Sequence, residues 1–177
     1  MIRLEDSSYE QPMALLQACH ERVARSLALL QRLVAHLQAR PGQPADAMAR
    51  SAAEDVRRYF EIAAPLHHQD EELHLFPLAR ASGDPDLQGL CETLAAQHVQ
   101  MSTQWQDLSV QLQTLDTSPA ALARLQHAVQ AFSALYAQHL TLEDGQFYPA
   151  LAPRLDADLQ RHMGLEMGAR RGLRFQP

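Results

Sequence analysis

The sequence predicts an all-α fold: an up-down-up-down antiparallel four-helix bundle followed by a short C-terminal helix. Apolar residues recur every three and four positions in long runs, the narrow stripe of a helix packed in a bundle. No segment alternates with period two, so no strand is expected. Breaks rich in proline and glycine cut the chain into long pieces joined by short loops, and short loops between long helices imply antiparallel neighbours.

The first helix is expected over residues 11–39, with the stripe Leu16, His20, Val23, Leu27, Leu30, Val34 and Leu37. Pro41-Gly42-Gln43-Pro44 ends it. The second covers 45–80 and contains Pro65, which frees the carbonyl of Glu61 and predicts a bend just before His67. Ser82-Gly83-Asp84-Pro85 separates it from the third, over 85–115, where Asp84 caps and Pro85 takes the first position. The third stripe is Leu87, Cys91, Leu94, His98, Met101, Trp105, Leu108, Leu112 and Leu115. Ser118-Pro119 opens the fourth helix, 119–151. A short fifth, about 157–169, starts at Asp156.

A chain of 177 residues is read as a single domain, with the bundle at about 11–152 and a C-terminal extension at 153–177. A net charge of −6 and the lack of a basic run argue against nucleic acid as a partner. Met1–Ser8 lacks the apolar core of a signal peptide, and no stretch reaches the ~20 apolar residues of a membrane span. The expectation is a cytoplasmic protein whose two cysteines, Cys19 and Cys91, are reduced.

One pattern occurs twice, with His67 and His139 as its first residues. The copies are His67-His68-Gln69-Asp70-Glu71-Glu72-Leu73-His74-Leu75-Phe76-Pro77 and His139-Leu140-Thr141-Leu142-Glu143-Asp144-Gly145-Gln146-Phe147-Tyr148-Pro149. Each reads His, three residues, Glu, a second acid, then an aromatic and Pro. Phe60 and Phe132 extend the match upstream. His and Glu at i and i+4 on a helix lie about 40° apart and about 6 Å along the axis. One face then offers imidazole and carboxylate to the same point, a donor set suited to iron, manganese or zinc. Two such helices facing each other can hold two metals.

The helical positions sort the nine histidines. His20 and His98 take stripe positions that a Leu would otherwise fill. With His67-Glu71 and His139-Glu143 they bring four His and two Glu from four helices into the interior. A lone histidine on an apolar face is usually ordinary core. Six ionisable groups at one level are very costly to bury without a metal. His68-Glu72 has the same spacing as His67-Glu71 and rivals it, but sits about 100° round the helix; alignment with the second copy favours His67, leaving His68 off the stripe. His36 should face solvent. His74, on the stripe of His67, is expected beside the site or as polar filler. His127 and His162 are read as surface residues.

These residues resemble the hemerythrin-like family of HHE cation-binding domains. The match rests on His20, His67-x-x-x-Glu71 with Phe76-Pro77, His98, and His139-x-x-x-Glu143 with Tyr148-Pro149. The resemblance implies a non-haem centre of two iron ions bridged by Glu71 and Glu143, with zinc or manganese as substitutes. It implies binding of O₂ or a related small ligand such as nitric oxide, in sensing, carriage or scavenging. A peroxide-consuming enzyme and an iron-handling or iron-centre repair protein are the alternatives. The sequence departs from the oxygen carriers, which have a second His one turn along the third helix; here Ser102 follows His98. A water, an anion or a nearby side chain must fill that gap.

Helical spacing also names the surroundings. Leu27, Phe60, Trp105 and Phe132 should form an apolar layer about two turns from the metals. Val23, Ala63, Met101, Ser102, Leu135 and Tyr136 lie between. Ala63 is small enough to leave a pocket for a diatomic ligand, and Tyr136 can donate a hydrogen bond to it. Cys19 points away from the site. Residues 166–172 either pack on the bundle or meet a protein partner.

Overall fold

Helix α1 spans Pro12–Gln38 in the computed structural model, which describes residues 9–173. The reading of Met1–Ser8 therefore lies outside the described residues. Helix α2 is a rod in three pieces: an α segment Ala47–Arg58, a π turn Tyr59–Ala63 and a second α segment Ala64–Arg80. Helix α3 is Pro85–Thr114. Helix α4 is Pro119–Leu142, continued by a π turn Glu143–Phe147 and the turn Tyr148–Leu151. Helix α5, Ala157–Arg170, follows a short 3₁₀ turn. No strand occurs among the described residues, and no helix there is long and apolar enough to cross a membrane.

The starts follow the local chemistry. Asp84 accepts from the N–H groups of Asp86 and Leu87, Ser118 from Ala121, and Asp156 from Leu159. Each cap satisfies donors that a first turn leaves unpaired. The bend expected before His67 takes the form of the π turn. Pro65 has no N–H to give, and the helix widens just before it: the Ala64 N–H bonds the Tyr59 carbonyl, five residues back.

Helix α1 packs on α2 and α4, and α3 packs on the same two helices. Cross-helix pairs run in opposite number order. Between α1 and α4 they are His20–Asp144, Gln31–Ser133 and Gln38–Gln126. Between α2 and α3 they are Glu72–His98 and Arg80–Glu92. These neighbours are antiparallel. The core divides into two apolar clusters. One holds Val23, Leu27, Phe60, Met101, Phe132 and Tyr136, the other Leu16, Leu75, Phe76, Leu94, Phe147 and Met163. On every one of the four helices the break between clusters falls at the buried histidines and glutamates.

Helix α5 closes the second cluster with Met163 and Met167. The stretch whose role the sequence left open packs on the bundle: Glu166 lies 2.7 Å from His74, and Arg170 and Arg171 each reach Asp70 at 2.6 Å. Asp70 is fully buried, so this is its counter-charge. Gly164 lets α5 approach the N-terminal segment, since a methyl there would sit 1.8 Å from the Tyr9 carbonyl oxygen. Gly164→Ala is expected to destabilise by about 1–3 kcal/mol through overpacking. Gly89→Ala, where nothing lies within 4 Å, is the control. Equal denaturant midpoints for the two variants would show that α5 shifts at no cost.

Candidate metal centre

The six predicted residues come together. His20, His67, Glu71, His98, His139 and Glu143 are all buried, and both glutamates are at 0% exposure. Their donor atoms form two overlapping groups: His20, His67, Glu71 and Glu143 in one, Glu71, His98, His139 and Glu143 in the other. Within each group the donor atoms lie within 4.8 Å of one another. The two groups share both carboxylates.

Individual distances show atoms aimed at common points. His20 Nε2 is 3.2 Å from Glu143 Oε2, and His98 Nε2 is 3.4 Å from Glu71 Oε2. His139 Nε2 lies 2.9 Å from Glu143 Oε1, yet neither atom has a hydrogen-bond partner. Both nitrogens of His67, Nε2 of His98, Oε2 of Glu71 and both oxygens of Glu143 are likewise buried and unpartnered. Buried polar atoms are nearly always paired in folded proteins, and a cluster of exceptions calls for an ion or water. Neutral imidazole and carboxylate are the donors a divalent cation requires. The residues fit a metal.

The second acid of each repeat has a clear task. Glu72 Oε1 accepts from His98 Nδ1 at 2.7 Å, and Asp144 Oδ1 accepts from His20 Nδ1 at 3.0 Å. Gln97 Oε1 does the same for His139 Nδ1 at 2.9 Å. A carboxylate on Nδ1 fixes the proton there and turns the Nε2 lone pair inward, the usual support of a metal-binding imidazole. Burial alone would lower the pKa of His20 and His98. Hydrogen bonds and charge from Glu143 and Asp144 outweigh it at His20, and Glu71 and Glu72 do so at His98, so both are raised. Burial would raise Glu143, but His139 and His20 hold it down at about 2.

Two histidines, His68 and His36, differ from expectation. His68 does not leave the interior. Its Nε2 is buried without a partner, and it forms a third close group with His98 and His139. Two residues about 100° apart can straddle the inward direction of a helix. His67 leans toward α1, 5.2 Å from the His20 ring, and His68 toward α3, stacked on His98 at 3.9 Å. A single narrow stripe has no place for both. His36 is only partly exposed and pairs with Asp46 at 2.9 Å. His74 serves α5 through Glu166. His127 and His162 are exposed as expected.

The apolar layer forms as predicted, with Phe60 5.1 Å from Phe132 and 5.0 Å from Trp105. A cavity of about 300 Å³ opens between α2 and α3, lined in part by His68, His98, Ser102, Trp105 and Tyr136. Ala64 and Pro65 line it in place of Ala63, because the π turn ends at Ala63 and carries that residue off the wall. Tyr148 was not expected at the site. Its hydroxyl donates to Glu71 Oε1 and lies 3.3 Å from His20 Nε2. Tyr148 stacks on His20 at 5.4 Å, and its repeat counterpart Phe76 stacks on His98 at the same distance. Each motif's aromatic therefore covers an imidazole from the next helix. The signals for these roles were present as the paired second acid and the paired aromatic, but their partners lie on other helices.

A protein of Haemophilus influenzae described only as uncharacterized is 34% identical over 166 residues, which cover 93% of this chain and 92% of that one. A family model, the hemerythrin HHE cation binding domain, matches residues 11–151, the stretch that carries all six converging residues. With the repeated His-x-x-x-Glu pairs meeting in a helical interior, the chain belongs to the hemerythrin HHE cation-binding family.

Proposed function

We propose that the protein holds two iron ions side by side and binds O₂ or a related small ligand such as nitric oxide there. His20 and His67 would hold one ion and His98 and His139 the other, with Glu71 and Glu143 bridging. The observation that carries this reading is the sharing of both carboxylates by the two donor groups. Bound iron would supply redox chemistry and an exchangeable position for a ligand; manganese would suit the same donors, and zinc would fill them without redox chemistry. The protein's own part is to orient three imidazoles, His98, His20 and His139, through Glu72, Asp144 and Gln97, and to pack the Phe60, Trp105 and Phe132 layer beside the centre. The same reading takes residues 1–177 as one cytoplasmic domain, its bundle in up-down-up-down order.

The test is the metal content and optical spectrum of protein purified without added metal and then exposed to air. Two irons per chain, with bands that shift on adding azide or nitric oxide, are expected. A single metal at full occupancy with the six residues intact would overturn the pair.

Ser102 gives a sharper check. It lines the cavity one turn beyond His98. Its hydroxyl is a poor ligand, so Ser102→His should tighten metal retention against a chelator and slow azide exchange at the His98–His139 position. A variant that loses metal faster and binds azide unchanged would show that Ser102 does not reach the site.

A further inference from the structure

The two copies of the internal repeat face each other across the centre, and two of their differences bear on the space around it. Where one copy has His68, the other has Leu140; where one has Phe76, the other has Tyr148. On the His20–His67 side, Tyr148 fills the space with a hydroxyl bonded to Glu71. On the His98–His139 side, His68 and His98 line the cavity, which lies toward Phe60, Trp105 and Phe132, away from the cluster that holds Phe76 and Tyr148. One side of the centre is thus closed by Tyr148, and the cavity reaches the other.

The open side is too large for a diatomic molecule alone. About 300 Å³ compares with roughly 30 Å³ for a water in the liquid. Its walls are aromatic: Phe60 lies 5.0 Å from Trp105 and 5.5 Å from Tyr136, and Phe132 lies 5.0 Å from Tyr136. Its inner end is polar. His68 Nε2 is shielded from solvent and unpartnered there. The His68 and His98 rings are stacked, with planes 11° apart. The donor nitrogens of His68, His98 and His139 lie within 4.8 Å of one another. His68 is thus placed beside whatever occupies the space in front of His98, within reach to donate a hydrogen bond to it. Glu72, the carboxylate on the cavity wall, is already engaged by His98 Nδ1.

We propose that this cavity binds a small organic anion, its charged head held by His68 Nε2 in front of His98 and His139 and its flat apolar body laid against the wall that Phe60, Trp105, Phe132 and Tyr136 form. An anionic head suits the imidazole donor and the metal proposed beside it; a flat body suits aromatic walls. The inference rests on the two-metal reading of the site. His68 is the residue that sets specificity for the head group.

Trp105 is the chain's single tryptophan and lines the cavity, so its emission reports occupancy. Benzoate is titrated into metal-loaded protein, then azide is added in competition. Saturable change in Trp105 emission, with benzoate and azide displacing one another, is expected. His68→Leu, which copies Leu140, should weaken benzoate about tenfold, the loss of a hydrogen bond to a charged group. Its metal content should match wild type, and His68→Gln, which keeps a donor, should recover most of the affinity. Wild-type affinity in His68→Leu would overturn the proposal. So would loss of metal from that variant, which would make His68 a metal ligand, or equal benzoate binding by metal-free protein. Wild type that holds metal but never binds benzoate fails this inference alone; wild type that holds no metal fails the two-metal reading beneath it.

Discussion

Glu143→Ala is expected to empty both metal positions at once. The carboxylate belongs to both donor groups, with one oxygen 2.9 Å from His139 Nε2 and the other 3.2 Å from His20 Nε2. On the two-metal proposal, its removal would take a negative charge and a donor from each ion. Losing even a supporting contact around a metal ligand costs about 10–100-fold in affinity, so losing a shared ligand should cost more than 100-fold at both positions. His98→Ala removes a donor from one group only, and should leave the His20–His67 ion in place. The measurement is metal per chain after dialysis against a graded series of chelator concentrations. Independent loss of one ion in Glu143→Ala, with the second retained at wild-type strength, would show that the carboxylate does not bridge.

Stripping the metal should lower the melting temperature, and the gap should widen as pH rises. A ligand at one hundred times its dissociation constant stabilises by about 2.7 kcal/mol, and for a chain of this length that is roughly 5–11 °C. In the metal-free protein, the acids beside His20 and His98 outweigh burial and favour a proton on each. Both histidines have raised pKa values in the folded state. Their stabilisation is complete below the unfolded value of about 6.5 and is lost as pH rises through the folded values. His67 moves the other way, held at about 4 by burial, so its effect is confined to pH below about 6.5. Above that, the metal-free protein should weaken steadily. The loaded protein should not, since a metal binds neutral imidazole and competes with the proton. Melting curves of both forms between pH 6 and 8.5 decide it. Parallel curves would mean that His20 and His98 carry no proton in the metal-free fold.

Much of this was legible in the chain itself. His20, His67, Glu71, His98, His139 and Glu143 converge because each position follows from helical periodicity and a repeat of fixed spacing. Capping by Asp84, Ser118 and Asp156 is equally local, since the capping atom and the N–H it serves lie within three residues. Periodicity acts along a single helix, and there the sequence is sufficient.

His68 shows where that logic stops. Whether a residue 100° off a stripe faces in or out depends on how far the neighbouring helix wraps round, and α3 brings His98 across to meet it. The same holds for Tyr148, whose hydroxyl crosses to Glu71 on another helix, and for Asp70, whose charge is met by Arg170 and Arg171 from α5. Repeat and period by themselves determined the helices, the buried polar layer and its donor types. Only the tertiary structure decided which acid orients which imidazole, which side of the centre is open and what lines it, because those depend on distances between helices that no spacing within one helix encodes.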